Sequence, residues 1–423
     1  MTGSLQLNGS DYLMLGFDHE LRRLGFAGNS CQIVLELAAP ISPDALSKRI
    51  ETLLEQNPAL RARPGGVFFP KWKTVGRLAA QDLVRTHADE PGICQKLFNE
   101  PLDVKHGKLL RFDLVVRAAG RMTLIFTWAH ALMDAPGAEY FLAVVGDQKL
   151  SLPAPAPPKP RGSGKSFAER CRLAWKYIHH LDGYCRAAPR SPGVRRRHAP
   201  PVINYRVESF TAEETARVRA NSAQHCGPLG DGQFHAAIAA LELHRLHQRL
   251  GSFSPSYVLP MPVGLRAKGS AEPVFGNQIA MLMLQFLPEH LDNIAAAGAD
   301  LKTQMSSMMR AGMLDSGVLL SDLFRFLPLR IYVSALKRGL HGEICSIFYG
   351  DTAAVNPLLV NFMGVAVEDF AHVAAVTPSP GIGVVFYYFR GELRVTVLHS
   401  AQVLSDAEAA EFAASLRQRL LNP

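Results

Sequence analysis

The chain has 423 residues, 48% hydrophobic and 19% charged, which excludes a disordered protein and exceeds what one ordinary core accommodates. Its formal net charge of +8 is concentrated between Lys159 and Arg197, where eleven Lys and Arg stand against Glu169 and Asp182. The remainder is close to neutral, which excludes a uniformly basic nucleic-acid binder.

In chain order, Gln32–Leu37 has the pattern of a short strand. Ser42-Pro43-Asp44 starts a helix to about Leu54, with Ser42 as N-cap, Pro43 in the first helical position, and Leu46, Ile50, Leu53 and Leu54 at helical spacing. Leu109–Val116 and Met122–Thr127 read as strands joined by a turn at Ala119-Gly120. The proline-rich stretch Ser151–Pro160 reads as a stiff spacer. A basic segment follows, with a helix near Phe167–Leu181 and a broken stretch over Ala187–Pro201. Strand character resumes at Val202–Val207. Thr211-Ala212-Glu213-Glu214 matches a capping box, and Phe234–Leu250 reads as a long helix. Tyr257–Pro262 and Ile279–Phe286 are strands, and Leu358–Val365 is a strand-turn unit turning at Met363-Gly364. Gly383–Phe389 and Leu393–Leu398 form a hairpin about Arg390-Gly391, and Ser405–Leu421 is a closing helix. Strands and helices mix without a strict βαβ rhythm, so the expected class is α/β with mixed sheets. The expected divisions are residues 1–150, a proline-rich and basic crossover over 151–201, and residues 202–423.

The first residues lack the basic-then-apolar pattern of a secretory leader, and no run reaches the ~18 apolar residues of a membrane span. Cys31, Cys94, Cys171, Cys185, Cys226 and Cys345 are scattered, with no CxxC and no His at metal-ligand spacing. The expectation is a cytoplasmic protein with buried thiols and no metal site. Three patterns are set aside. Gly164-Lys165-Ser166 looks like the end of a phosphate-binding loop, but Lys159 stands where its first glycine belongs and no strand precedes it. His179-His180-Leu181-Asp182-Gly183 reads as a helix C-terminus closed by Gly183. His244 and His247, one turn apart, read as a solvated or partly packed helix face.

The stretch with chemistry in it is Arg121–Leu142. An apolar strand ends on His130, Asp134 follows four residues later, and Pro136-Gly137 lead into a helix. A histidine at a strand mouth suits a general base, because its ordinary pKa permits proton exchange near neutrality. Alone, the HxxxD spacing equally fits a surface histidine near a turn aspartate.

Other segments give the motif a context. Asn8-Gly9-Ser10-Asp11, Asn57-Pro58-Ala59-Leu60-Arg61, Glu100-Pro101-Leu102-Asp103, Pro262-Val263-Gly264-Leu265-Arg266 with Phe275-Gly276-Asn277, and Asn361-Phe362-Met363-Gly364 occur in that order. With WAHALMDAPGAEYFL around His130, this set resembles the acyltransferase superfamily marked by HHxxxDG. That superfamily includes nonribosomal-peptide condensation domains, wax ester synthase/diacylglycerol acyltransferases and polyketide-associated acyltransferases. Here Ala129 replaces the first histidine and Ala135 the glycine.

The resemblance implies two similar chloramphenicol-acetyltransferase-like subdomains with an active-site tunnel between them. It implies transfer of an acyl group from a thioester of coenzyme A or acyl carrier protein to a hydroxyl or amine, in lipid or secondary-metabolite synthesis. His130 would be the general base, Asp134 and Arg266 a supporting pair, and Asn361 and Asn277 contacts to the oxyanion or acceptor. No bound cofactor or metal is implied. A different class of function, an inactive module that binds an acyl group or carrier, is supported by Ala135 and opposed by the retained His130 and Asp134. The basic helix, with Phe167, Trp175, Ile178 and Leu181, suits an anionic membrane surface, an acidic carrier protein, coenzyme A phosphates or a solvated linker alike. Peripheral contact with the inner membrane face is thus one expectation, and nucleic acid is not.

Overall fold

A computed structural model describes residues 7–423 except 67, 77, 154–163, 228–229, 268–269, 271 and 339; most of the proline-rich spacer lies outside the described residues. The first half contains α1 (Gly9–Arg23), β1 (Ser30–Leu37), α2 (Pro43–Gln56), β2 (Ala62–Gly65), β3 (Lys71–Thr74), β4 (Val84–Ala88), α3 (Ile93–Phe98), β5 (Leu110–Val116), β6 (Met122–Ala129) and α4 (Ala135–Gly146). The middle runs through α5 (Phe167–Tyr184), β7 (Ile203–Ser209), α6 (Ala212–Cys226), α7 (Asp231–Arg249), β8 (Tyr257–Gly264), β9 (Ile279–Phe286), α8 (Ile294–Arg310), α9 (Met313–Phe324) and α10 (Leu329–Arg338). The last part contains β10 (Phe348–Ala354), β11 (Asn361–Phe362), β12 (Val365–Val373), β13 (Ile382–Phe389), β14 (Glu392–Ser400) and α11 (Asp406–Leu421).

The class is mixed α/β, and one sheet plan occurs twice. The larger sheet has the order β11-β12-β1-β6-β5-β4, and the smaller β10-β13-β14-β7. In each, a parallel pair at one edge (β4 with β5, β10 with β13) continues into antiparallel neighbours (β6 then β1, β14 then β7). A helix follows the second hairpin strand in both copies, α4 after β6 and α11 after β14. The halves also interlock. β12, from the last part of the chain, pairs with β1, Val34 opposite Ala371.

Local chemistry accounts for most elements. Ser42 caps α2 with Pro43 in its first turn, and Leu46, Ile50, Leu53 and Leu54 are its buried face. Thr211 and Glu214 form the capping box of α6, and Ser405 and Glu408 that of α11. Met363-Gly364 and Arg390-Gly391 both have positive φ, as two-residue hairpin turns require. β6 is buried along its whole length. Phe126 stacks on Phe112 at 4.8 Å and on Trp128 at 5.3 Å and meets the tilted ring of Phe141 at 5.5 Å, and this aromatic cluster fixes β6 and α4 against each other.

Some segments differ from the sequence reading. Asn8–Asp11, read only as a motif segment, starts a helix: Asn8 and Asp11 cap α1 reciprocally. Helix α5 passes through Gly183 to Tyr184, because Tyr184 anchors its last turn by donating to the Met283 carbonyl at 2.6 Å. Of the two readings of the His244–His247 face, the packed one holds: both rings meet Tyr257 edge to face, His247 is buried, and burial pushes its pKa down to about 4. Within the basic segment, α5 buries Ala174, Tyr177 and Tyr184 while Phe167 and Trp175 stay exposed.

Candidate active site

Strand β6 ends on a backbone that is held from two sides. The His130 N–H donates to the Asn29 carbonyl at 3.0 Å, and the His130 carbonyl accepts from Asn277 Nδ2 at 2.9 Å. The turn that follows is closed by Trp128 Nε1 donating to the Met133 carbonyl at 2.9 Å. Asp134 then caps α4, its Oδ1 accepting from Gly137 N at 3.1 Å.

The other Asp134 oxygen reaches the second half of the chain. Oδ2 accepts from Arg266 Nη1 at 2.7 Å and from Gln278 N at 2.8 Å. Arg266 lies just after β8, and Gln278 just before β9. Arg266 also donates to the Pro273 carbonyl through Nη2 at 2.7 Å, so it fastens its own loop while holding Asp134. The side chains of Asp134 and Arg266 are 3% and 8% exposed, so this is a buried, hydrogen-bonded ion pair. The main chain adds a bond from Gly276 N to the Leu132 carbonyl at 2.7 Å.

Asn277 is held by Asp11. Asp11 Oδ1 accepts from Asn277 N at 2.7 Å and from Nδ2 at 3.0 Å, and its Oδ2 accepts from Asn8 N at 3.0 Å. Burial pushes the Asp11 carboxyl up to about 7, against the N–H donors of Asn277 and Asn8, which hold it down. Asp11, Asn29, Gln278 and Gly137 are the parts that the HxxxD pattern does not name. The three-residue spacing of Asn8 and Asp11, a capping-box spacing, was the available signal for the first.

His130 is half-buried, and its Nδ1 finds no hydrogen-bond partner among the described residues. Burial opposes charging the ring; the adjacent Cys31 sulfur, the residue's own carbonyl and the Asp134 charge favour it, and its pKa is pushed up to about 9. Cys31 sits on β1 opposite Trp128. A small cavity of about 10 Å³ borders Ala129 and Ala131, on either side of His130, and is walled by Met14 and Leu15 of α1 and Trp72 of β3.

His130, Asp134, Arg266 and Asn277 therefore come together. Asn361 stands apart: it is exposed, pairs with Ala366, and lies beside the far end of α4, where Met363 N donates to the Gly146 carbonyl at 3.0 Å. The 12 residues of α4 separate it from His130. Among the described residues, no group of three or more His, Cys, Asp or Glu is placed to hold a metal ion, and no helix is long and apolar enough to cross a membrane.

No protein-family model and no curated protein matches the sequence. The fold does have solved counterparts. The first condensation domain of the calcium-dependent antibiotic synthetase superimposes with a TM-score of 0.72 at 17% identity, over 100% of this chain and 98% of that one. The trichothecene 15-O-acetyltransferase of Fusarium sporotrichioides gives 0.71 at 12% identity, over 98% and 95%. The starter condensation domain of the rhizomide synthetase, solved as a mutant with C8-CoA and Leu-SNAC, gives 0.66 at 13%, over 100% and 94%. The chain thus has the condensation-domain and acyltransferase fold along its full length.

Proposed function

We propose that this protein is an acyltransferase that moves an acyl group from a thioester to a hydroxyl or amine, with His130 as general base. The observation that carries the proposal is the junction itself. A half-buried histidine ends a fully buried strand, and its backbone is fixed from both halves of the chain. A base must be held still to be effective.

In this mechanism Nε2 is the nitrogen that serves the acceptor, since Nδ1 is buried. It takes the proton of the acceptor hydroxyl or amine as that atom attacks the thioester carbonyl. The tetrahedral intermediate then expels the thiolate, and the imidazolium returns the proton to sulfur. This route uses neither a metal nor a covalent enzyme intermediate. Asp134 and Arg266 are positioning residues: they hold the His130 turn against the β8–β9 loop. Asn277 and Asp11 do the same for the His130 carbonyl. Coenzyme A and acyl carrier protein thioesters are the donor classes, in keeping with the C8-CoA bound in one structural counterpart.

The test is a panel of acyl-coenzyme A and acyl carrier protein donors of graded chain length with mixed alcohol and amine acceptors, reading free thiol and acylated product. Wild type should give acceptor-dependent product, and His130→Ala should lose about 10²–10⁴-fold in rate while remaining folded by circular dichroism at the assay temperature. Product formed equally well by His130→Ala would reject the proposal. Tight thioester binding without turnover in either protein would favour a binding module instead.

A further inference from the structure

Two segments distant in sequence meet at one surface, and both are basic and aromatic. The β2–β3 ribbon spans residues 61–76 with Arg61, Arg63, Lys71 and Lys73 and no acidic residue. The α9–α10 junction and α10 span residues 325–338 with Arg325, Arg330, Lys337 and Arg338, again with no acidic residue. They touch where the Phe69 and Phe326 rings meet edge to face at 5.9 Å, with the Arg325 guanidinium 5.0 Å from the Phe326 ring centre. Two acids border the surface: Asp322 accepts from Gly9 N and lies 3.9 Å from Arg325, and Glu20 of α1 pairs with Lys337.

Three features of this surface work against a protein left alone in water. Phe68 and Phe69, adjacent near the ribbon tip, are 61% and 76% exposed, and Ile331 at the start of α10 is 55% exposed. Arg63 and Lys73 stand directly opposite each other in the ladder, a like-charge pair that weakens a ribbon unless an anion covers it. Arg63, Lys71, Lys73 and Arg330 have no ion-pair partner among the described residues. An anionic, apolar-cored partner would relieve all three.

We infer that this surface docks on an anionic lipid bilayer, with Phe68 and Phe69 entering the boundary between headgroups and acyl chains and Arg63, Lys71, Lys73 and Arg330 lying among the lipid phosphates. Shape decides between a bilayer and an acidic protein. Two neighbouring phenylalanines that both project from a ribbon tip need a matching pocket on a folded partner, whereas a bilayer accepts any protrusion. The ribbon also connects the surface to the candidate site. Its Trp72 is buried and walls the small cavity next to Ala129 and Ala131, the residues flanking His130. Helix α5 serves as the comparison: its inner face is packed against α9, and its exposed Phe167 and Trp175 stand two turns apart rather than adjacent at a tip.

Sedimentation with phosphatidylcholine vesicles, and with vesicles containing about 30 mol % phosphatidylglycerol, tests this without any acyl donor, so its result is independent of the acyl-transfer reading. Wild type should partition about tenfold or more in favour of the anionic vesicles, and salt should weaken the binding. F68S/F69S and R63Q/K71Q/K73Q should each lose most of that preference while melting like wild type, and Trp175→Ser on α5 should lose none. A Phe69→Trp variant should show a blue-shifted emission on adding anionic vesicles. Equal partition into both vesicle types, wild-type binding by F68S/F69S, or binding of an acidic carrier protein in place of vesicles would overturn the inference.

Discussion

His130 is subject to opposed influences, and in the proposed mechanism their balance sets the pH at which it works. Burial favours the neutral ring, while Cys31, the residue's own carbonyl and Asp134 favour the charged one, with the balance near 9. A base acts in its deprotonated form, and with a pKa near 9 only about one ring in a hundred is neutral at pH 7. The rate should therefore climb about tenfold per pH unit from pH 6 and level off near 9. Cys31→Ala removes the strongest influence holding the pKa up, so burial should dominate and the break should move below about 6.5. A pH–rate profile of the two proteins checks this; coincident profiles would show that Cys31 does not set the ring's charge. The sign for stability is opposite. A folded pKa above the unfolded one stabilises the fold fully below about 6.5 and loses that contribution as pH rises through 9.

The start of α4 shows how one element can meet a motif's requirement with a different residue. The motif glycine is replaced by Ala135, which occupies the first helical position and is tolerated there. The place that needs a glycine is two residues on. A Cβ on Gly137 would lie 2.3 Å from the Val274 carbonyl oxygen and 3.3 Å from Arg266 Nη2. That carbonyl is main chain, so the loop between β8 and β9 would have to move. Gly137→Ala should cost about 1–3 kcal/mol and lower turnover by displacing the Asp134–Arg266 pair, measured by denaturant unfolding and steady-state kinetics. Ala135→Gly should change stability by less than about 1 kcal/mol and leave turnover unchanged. The reverse ranking would mean that the close approach does not constrain the site.

At the scale of the molecule, the site exists because two halves interlock. The sheet plan occurs twice, yet only the first copy ends its hairpin on a histidine; the second continues from Ser400 into Ala401. The second half supplies Arg266, Asn277 and Gln278, and the first supplies His130, Asp134 and Asp11. β12 crosses between them, and its His372 meets Glu139 of α4 at 2.7 Å in a buried contact. Asp134→Ala or Arg266→Ala alone should cost about 3–5 kcal/mol, because each leaves a buried charge unpaired. The double variant should cost less than their sum by about 1–3 kcal/mol in denaturant unfolding; strict additivity would mean the pair is not coupled. The sequence by itself determined what is local. Capping residues at Ser42, Thr211 and Ser405, period-two apolar runs and the turns at Met363-Gly364 and Arg390-Gly391 act over a few residues, so they are legible in order along the chain. HxxxD with the later Arg266 was legible for the same reason, as short motifs in a fixed order. Tertiary structure alone decided which distant groups meet: the Asp11–Asn277–His130 chain, the glycine demanded by Val274, the place of Asn361 beyond the far end of α4, and the meeting of Phe69 with Phe326. Each depends on backbone segments more than a hundred residues apart, and no local propensity encodes that approach; it is set by how the two sheets and their helices bury their shared apolar faces.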